Sequence, residues 1–117
     1  MAKILIVDDS TFARSKIKKA LAELNCEVLE AGSGDEAVEI ARTQLPDLMT
    51  LDLLMPVMSG QDTLQAVKNL HLPVKVIIVS ADIQIQTREE LLAAGASAFL
   101  NKPVDAQVLI ETIRGLL

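Results

Sequence analysis

Three stretches of this chain, Ile4-Leu5-Ile6-Val7, Leu48-Met49-Thr50-Leu51 and Val76-Ile77-Ile78-Val79, are apolar at nearly every position. An element half-covered by the core would show polar residues at a period of about 3.6 or 2, so these runs read as strands buried on both faces. Each ends in polar residues, Asp8-Asp9-Ser10, Asp52 and Ser80 respectively, and a segment with helical character follows. That order constrains the fold more than any other feature of the chain.

The intervening segments fit the pattern. After Ser10, Ala13, Ile17, Ala20, Leu21 and Leu24 form an apolar stripe, with Arg14, Lys18, Lys19 and Glu23 off it. Glu27-Val28-Leu29-Glu30 alternates loosely, as a half-covered edge strand would, and Gly32 turns the chain. Ser33 with Glu36 matches a capping box opening a helix with Ala37, Val38, Ala41 and Leu45 inward, stopped by Pro46. Pro56 and Gly60 mark a loop after Asp52; Ser59 with Asp62 resembles a looser cap, and Leu64 and Val67 give the next inner face. His71, near Pro73, falls in a solvated connection. Beyond Ser80 the helical stripe is diluted by Gln84, Gln86, Thr87 and Arg88 until Leu91 and Leu92, and Gly95 ends it. Ala98-Phe99-Leu100 is a short fifth strand closed by Asn101-Lys102-Pro103, and Asp105 caps a last helix with Leu109, Ile113, Leu116 and Leu117 inward. Five βα units in succession imply an α/β fold: a parallel sheet covered on both faces, with right-handed crossovers.

At 117 residues the chain forms one domain, 1–117, large enough to bury about two thirds of its unfolded surface without staples. The single cysteine, Cys26, has no partner within the chain and reads as a small hydrophobe starting a strand; with no apolar leader after Met1, a reducing cytoplasm is the expected setting. No stretch approaches the ~20 apolar residues of a membrane helix. A net charge of -5 disfavours attraction to nucleic acid or anionic lipid, and the absence of Trp and Tyr removes the usual platforms for stacking bases or flavins. Met49, Met55 and Met58 are assigned to core and loop filling.

If the strands are parallel, Asp8, Asp9, Asp52, Ser80 and Lys102, which all follow apolar strand runs, converge on one edge of the sheet, where open α/β sheets bind their ligands. Individually each has an ordinary structural reading: a cap, a turn residue, a solvated lysine. Together, three carboxylates and one lysine leave a charge of minus two, which one Mg²⁺ cancels, and Mg²⁺ takes carboxylate and phosphate oxygens. A carboxylate serves as nucleophile in phosphoryl transfer, forming an aspartyl phosphate, with no histidine required.

On Val7-Asp8-Asp9-Ser10, Asp52 through Gly60 with Met55-Pro56, Ser80-Ala81 and Lys102-Pro103, the chain resembles over its whole length the receiver domains of two-component response regulators, in particular the stand-alone, CheY-like members. The resemblance implies a doubly wound five-stranded sheet of order 2-1-3-4-5 with no output domain. It implies Asp52 as phosphoacceptor, Asp9 as direct Mg²⁺ ligand, Asp8 as a partner reaching the metal through water, and Leu54 supplying a backbone carbonyl. Lys102 would contact the phosphoryl oxygens, Ser80 would swing its hydroxyl toward them, and Phe99 would be the switch aromatic that turns inward. Pro103 would follow a cis peptide. Leu54 and Asp82 occupy positions that tune hydrolysis of the phosphoryl group.

The implied partners are a histidine kinase or phosphotransfer domain and a downstream effector, with the chain turning over no external substrate. Phe12 with Lys16 and Lys19 forms a partly apolar, basic patch suited to the phosphodonor, and residues 80–84 resemble regulators served by CheC- or CheX-type phosphatases. The readout surface is expected on residues 84–94, the Phe99 strand and the last helix. Chemotaxis is the expected pathway, with a phosphorelay intermediate or phosphate sink as alternatives. Two other classes predict different features: a flavodoxin-like cofactor binder expects a Ser/Thr-rich phosphate loop and aromatic brackets, and an aspartate-nucleophile phosphohydrolase expects an Asp where Leu54 stands.

Overall fold

The three apolar runs form the centre of the sheet. In the computed structural model, which describes residues 1–81 and 84–117, β1 (Ala2–Val7), β3 (Leu48–Asp52) and β4 (Lys75–Ser80) lie side by side. β2 (Cys26–Ala31) and β5 (Ala98–Asn101) are the two edges, all pairings are parallel, and the order is β2-β1-β3-β4-β5. The helices between them are α1 (Thr11–Leu21), α2 (Gly34–Gln44), α3 (Gly60–Asn69), α4 (Ile85–Ala93) and α5 (Ala106–Leu116). Among the described residues no helix is long and apolar enough to cross a membrane.

Strand alternation splits the core in two. Ile4, Ile6, Leu48, Ile77 and Val79 face Ile17 and Leu21 of α1 and Leu109 and Ile113 of α5. Leu5, Val7, Met49, Leu51, Val76 and Ile78 face Ala37 and Ala41 of α2, Leu64 and Val67 of α3 and Leu91 of α4. Both faces of the central strands are therefore dry, which is why their sequences carry no polar alternation.

Helix starts follow the sequence, with one exchange of roles. Ser10, Ser33, Ser59 and Asp105 each accept a backbone N–H of the first turn. The reciprocal capping box forms at Ser59 and Asp62, expected as the looser cap. At Ser33 only half of it forms, because the Glu36 carboxylate instead accepts the Gly32 N–H, at 3.1 Å. Two residues expected inward point out. Leu45 is the left-handed C-cap of α2 (φ 48°) and is 58% exposed, and Leu117 lies beyond α5 and is 55% exposed. Helical spacing places a side chain inward only while the helix continues. Leu92, expected to restore the α4 stripe beside Leu91, is half exposed; among the described side chains of α4, Leu91 is the one in the core.

Thr50 breaks the apolar run of β3. It is buried between Ile6 and Ile77 on the neighbouring strands, and among the described residues its Oγ1 has no hydrogen-bond partner. An unpaired buried hydroxyl opposes folding by about 1–3 kcal/mol. Thr50→Val, which keeps the side-chain shape, is expected to stabilise the protein by about 1 kcal/mol, read as a higher urea midpoint at unchanged slope.

Candidate functional site

The strand order reverses between β1 and β3: from β1 the chain proceeds outward to β2, then returns to β3 on the other side. The crevice at the carboxyl ends of such a pair is where a doubly wound sheet accepts ligands. Asp8 follows β1 and Asp52 ends β3, and both carboxylates are buried, at 2% and 5% exposure, while Asp9 is exposed. One carboxylate oxygen from each of Asp8, Asp9 and Asp52 lies within 4.8 Å of the others.

Lys102 reaches this crevice from the end of β5. Its Nζ donates to Asp8 Oδ2 at 2.7 Å and lies 3.4 Å from Asp52 Oδ2. Its backbone N–H donates to the Ser80 carbonyl at 2.8 Å, tying the ends of β4 and β5 together, and the Lys102–Pro103 peptide is cis. The remaining carboxylate oxygens take main-chain donors: Ser10 N–H to Asp8 Oδ1 at 2.9 Å and Leu54 N–H to Asp52 Oδ1 at 3.3 Å. Ser80 is buried one residue beyond Val79, which pairs with Asp52.

The charges do not balance. Burial pushes the Asp52 carboxyl above its ordinary pKa; the Lys102 charge pulls it back, the Asp8 carboxylate raises it again, and the outcome is upward. Burial also works against the Lys102 ammonium, but the Asp8 hydrogen bond and the Asp52 and Asp8 charges outweigh it, and its pKa rises. A partly buried all-oxygen donor set with surplus negative charge fits a hard divalent cation such as Mg²⁺.

The loop after Asp52 is held tightly. The Gly60 N–H donates to the Leu53 carbonyl at 3.0 Å, and a Cβ at Gly60 would lie 2.4 Å from the Asp52 carbonyl oxygen, so only glycine lets α3 start against this strand end. Leu54 is 69% exposed, and Val57 turns the loop at φ 67°, a region that β-branched residues rarely occupy.

Phe99, half-buried on β5, packs against the α2–α3–α4 side of the core, with the Arg88 guanidinium of α4 5.7 Å from its ring centroid. Phe12 is 73% exposed with Lys16 Nζ 5.4 Å from its ring, beside a groove of about 690 Å³ between α1 and α5 that is also lined by Lys19, Pro103, Val104 and Leu109. Asp82 lies outside the described residues.

Sequence reasoning set Arg14 aside as an off-stripe polar residue. The structure folds it inward onto the Asp8 carbonyl, at 2.6 Å. A cation in the first turn of a helix, where the backbone dipole favours anions, was the available signal that it had another partner. The Arg88 contact with Phe99 was likewise invisible, since it joins elements separated by a turn.

The family model described as "Response regulator receiver domain" matches residues 4–114. The chain is 38% identical over 116 residues to the chemotaxis protein CheY of Bacillus subtilis (strain 168), covering 98% of this chain and 97% of that one. It is 37% identical to the protein PilH of Pseudomonas aeruginosa (strain PAO1), covering 100% and 98%. The crystal structure of the Vibrio cholerae chemotaxis protein CheY4 superimposes with a TM-score of 0.93 at 30% identity, over 100% of this chain and 99% of that one.

Because the Asp52 pKa is higher folded than unfolded, its ionisation opposes folding. Its contribution to stability is fullest below the ordinary value of 3.8 and is lost as pH rises through the elevated folded value. Without divalent cations, Asp52→Asn is therefore expected to melt above wild type at pH 7, with the gap closing on acidification below pH ~4, as thermal unfolding at both pH values will show.

Proposed function

The chain belongs to the receiver domains of two-component response regulators, and from that premise we propose that Asp52 accepts a phosphoryl group from a histidine kinase or phosphotransfer domain. The observation that carries this reading is the convergence of buried Asp8 and Asp52 with exposed Asp9, one ammonium bridging the two buried carboxylates.

In the proposed reaction an Asp52 carboxylate oxygen attacks phosphorus in line, the bond from phosphorus to the donor's imidazole nitrogen breaks, and its electron pair leaves with the imidazole. Asp8, Asp9, Asp52 and the Leu54 carbonyl would hold Mg²⁺, which when bound supplies charge neutralisation for the phosphoryl oxygens. Lys102 lies within reach of both Asp8 and Asp52, and in this reading it shifts its contact toward the new phosphoryl oxygens. The Ser80 hydroxyl donates to a further oxygen. No external substrate is turned over.

A phosphoryl group adds about -1.5 to -2 charge units, which rewards any arrangement drawing Ser80 and Lys102 inward. Two arrangements in equilibrium, rebalanced by this charge, make a switch. Phe99 is the element we propose to report it. To move, its ring must renegotiate the Arg88 contact, which links the site to α4. The readout surface is then α4, β5 and α5, where a downstream protein, in a chemotaxis-like role, distinguishes the two states. The Phe12–Lys16–Lys19 patch beside the groove is the proposed docking place of the phosphodonor. The tuning role expected of Asp82 and service by a CheC- or CheX-type phosphatase belong to the same proposal.

Incubation with acetyl phosphate and Mg²⁺ is expected to add one ~80 Da adduct by intact mass, absent in Asp52→Asn and absent without Mg²⁺; an Asp52→Asn protein labelled like wild type would refute the assignment. A phosphate mimic with Mg²⁺ is expected to shift the amide resonances of Phe99 and α4 as well as those around Asp52. Shifts confined to the crevice would leave the switch without support.

A further inference from the structure

The Asp8–Asp9 turn presents two of the acidic groups, yet its carboxylates are restrained unequally. Asp8 is fixed at every polar atom. Its N–H donates to the Ala31 carbonyl at 3.2 Å, Oδ1 accepts from Ser10, Oδ2 accepts from Lys102, and its carbonyl accepts from Arg14 Nη1 at 2.6 Å. Asp9 is exposed, and among the described residues its carboxylate has no hydrogen-bond or ion-pair partner. The Asp8–Asp9 peptide plane, from which the Asp9 Cα departs, is held at its carbonyl oxygen by Arg14.

Arg14 is itself aimed by its surroundings. Its Nε donates to Glu30 Oε1 on β2 at 3.2 Å, its Nη2 to Thr11 Oγ1 at 3.3 Å, and only 17% of the side chain is exposed. Lys18 holds the other Glu30 oxygen at 3.5 Å. Gly32 leaves space for the fork: a Cβ there would sit 3.3 Å from Nη1. A planar guanidinium serves three acceptors at once in a fixed geometry, whereas an ammonium on a flexible stem does not.

We propose that Arg14 is a positioning residue for the acidic site, clamping the Asp8 carbonyl from a Glu30 anchor so that the Asp8 and Asp9 carboxylates are oriented toward a shared divalent cation. This rests on the reading of the acidic cluster as a cation site. Groups that orient metal ligands contribute about 10–100-fold to affinity, and a clamp acting through the main chain of two ligands belongs at the lower end of that range.

The test is Mg²⁺ titration by calorimetry of the full chain as wild type, Arg14→Lys, Arg14→Met and Glu30→Gln, with folding checked by circular dichroism. Both Arg14 variants are expected to bind Mg²⁺ about tenfold more weakly, and Glu30→Gln, which keeps the guanidinium but weakens its anchor by replacing the charged acceptor with a neutral amide oxygen, about threefold. The Mg²⁺ concentration for half-maximal labelling by acetyl phosphate rises by the same factors, more than the maximal rate falls. A merely structural role would lower the melting temperature and leave the affinity of the folded variants unchanged, and that result overturns the proposal. If the Arg14 variants do not fold, wild-type affinity in Glu30→Gln overturns it instead, as does a wild-type protein that binds no Mg²⁺. A protein that shows these affinity losses but gains no adduct on Asp52 removes the phosphoacceptor reading alone and leaves the Arg14 assignment standing.

Discussion

Two buried carboxylates from neighbouring strands share one ammonium, and the architecture serves that arrangement. Burial, and then the neighbouring Asp8 carboxylate, disfavour the charge on Asp52, so its ionisation there calls for compensation. Lys102 supplies part of it, reaching over the end of β4 from the far side of the sheet. The parallel sheet brings these three strand ends, so distant in sequence, to one rim. The residual negative charge fits a hard divalent cation.

Much of this was legible in the sequence because the burial of the central strands is nearly total. Ile4–Val7, Leu48–Leu51 and Val76–Val79 have no polar face to confuse the reading, and a residue following such a run must stand at a strand end. Ends of helices were less legible. Leu45 and Leu117 satisfy the spacing of an inner face and still face water, because the helix has already turned left-handed at one and ended before the other. The two capping sequences exchanged roles because Glu36 found a competing donor one residue earlier in the chain, at Gly32.

Contacts made by polar side chains off the core stripes of the helices escaped the sequence. Periodicity describes which way a side chain leaves its own helix and says nothing of what it meets. Arg14 leaves α1 away from the core stripe, yet it folds back onto the strand end beneath it. Arg88 dilutes the α4 stripe, which weakened the reading of that helix, and this same residue covers Phe99. Among the described residues its buried Nε has no hydrogen-bond partner.

The open edges of the sheet have a bearing on how the protein behaves in concentrated solution. β5 offers only four residues to an incoming strand, and β2 carries Glu27 and Glu30, which Lys3, Arg14 and Lys18 hold in place. Short or charged borders resist the unplanned addition of a neighbouring molecule's strand, the first step toward aggregation. Glu30 thus guards the margin of the fold against self-association while its other contact steadies the turn beside the acidic crevice.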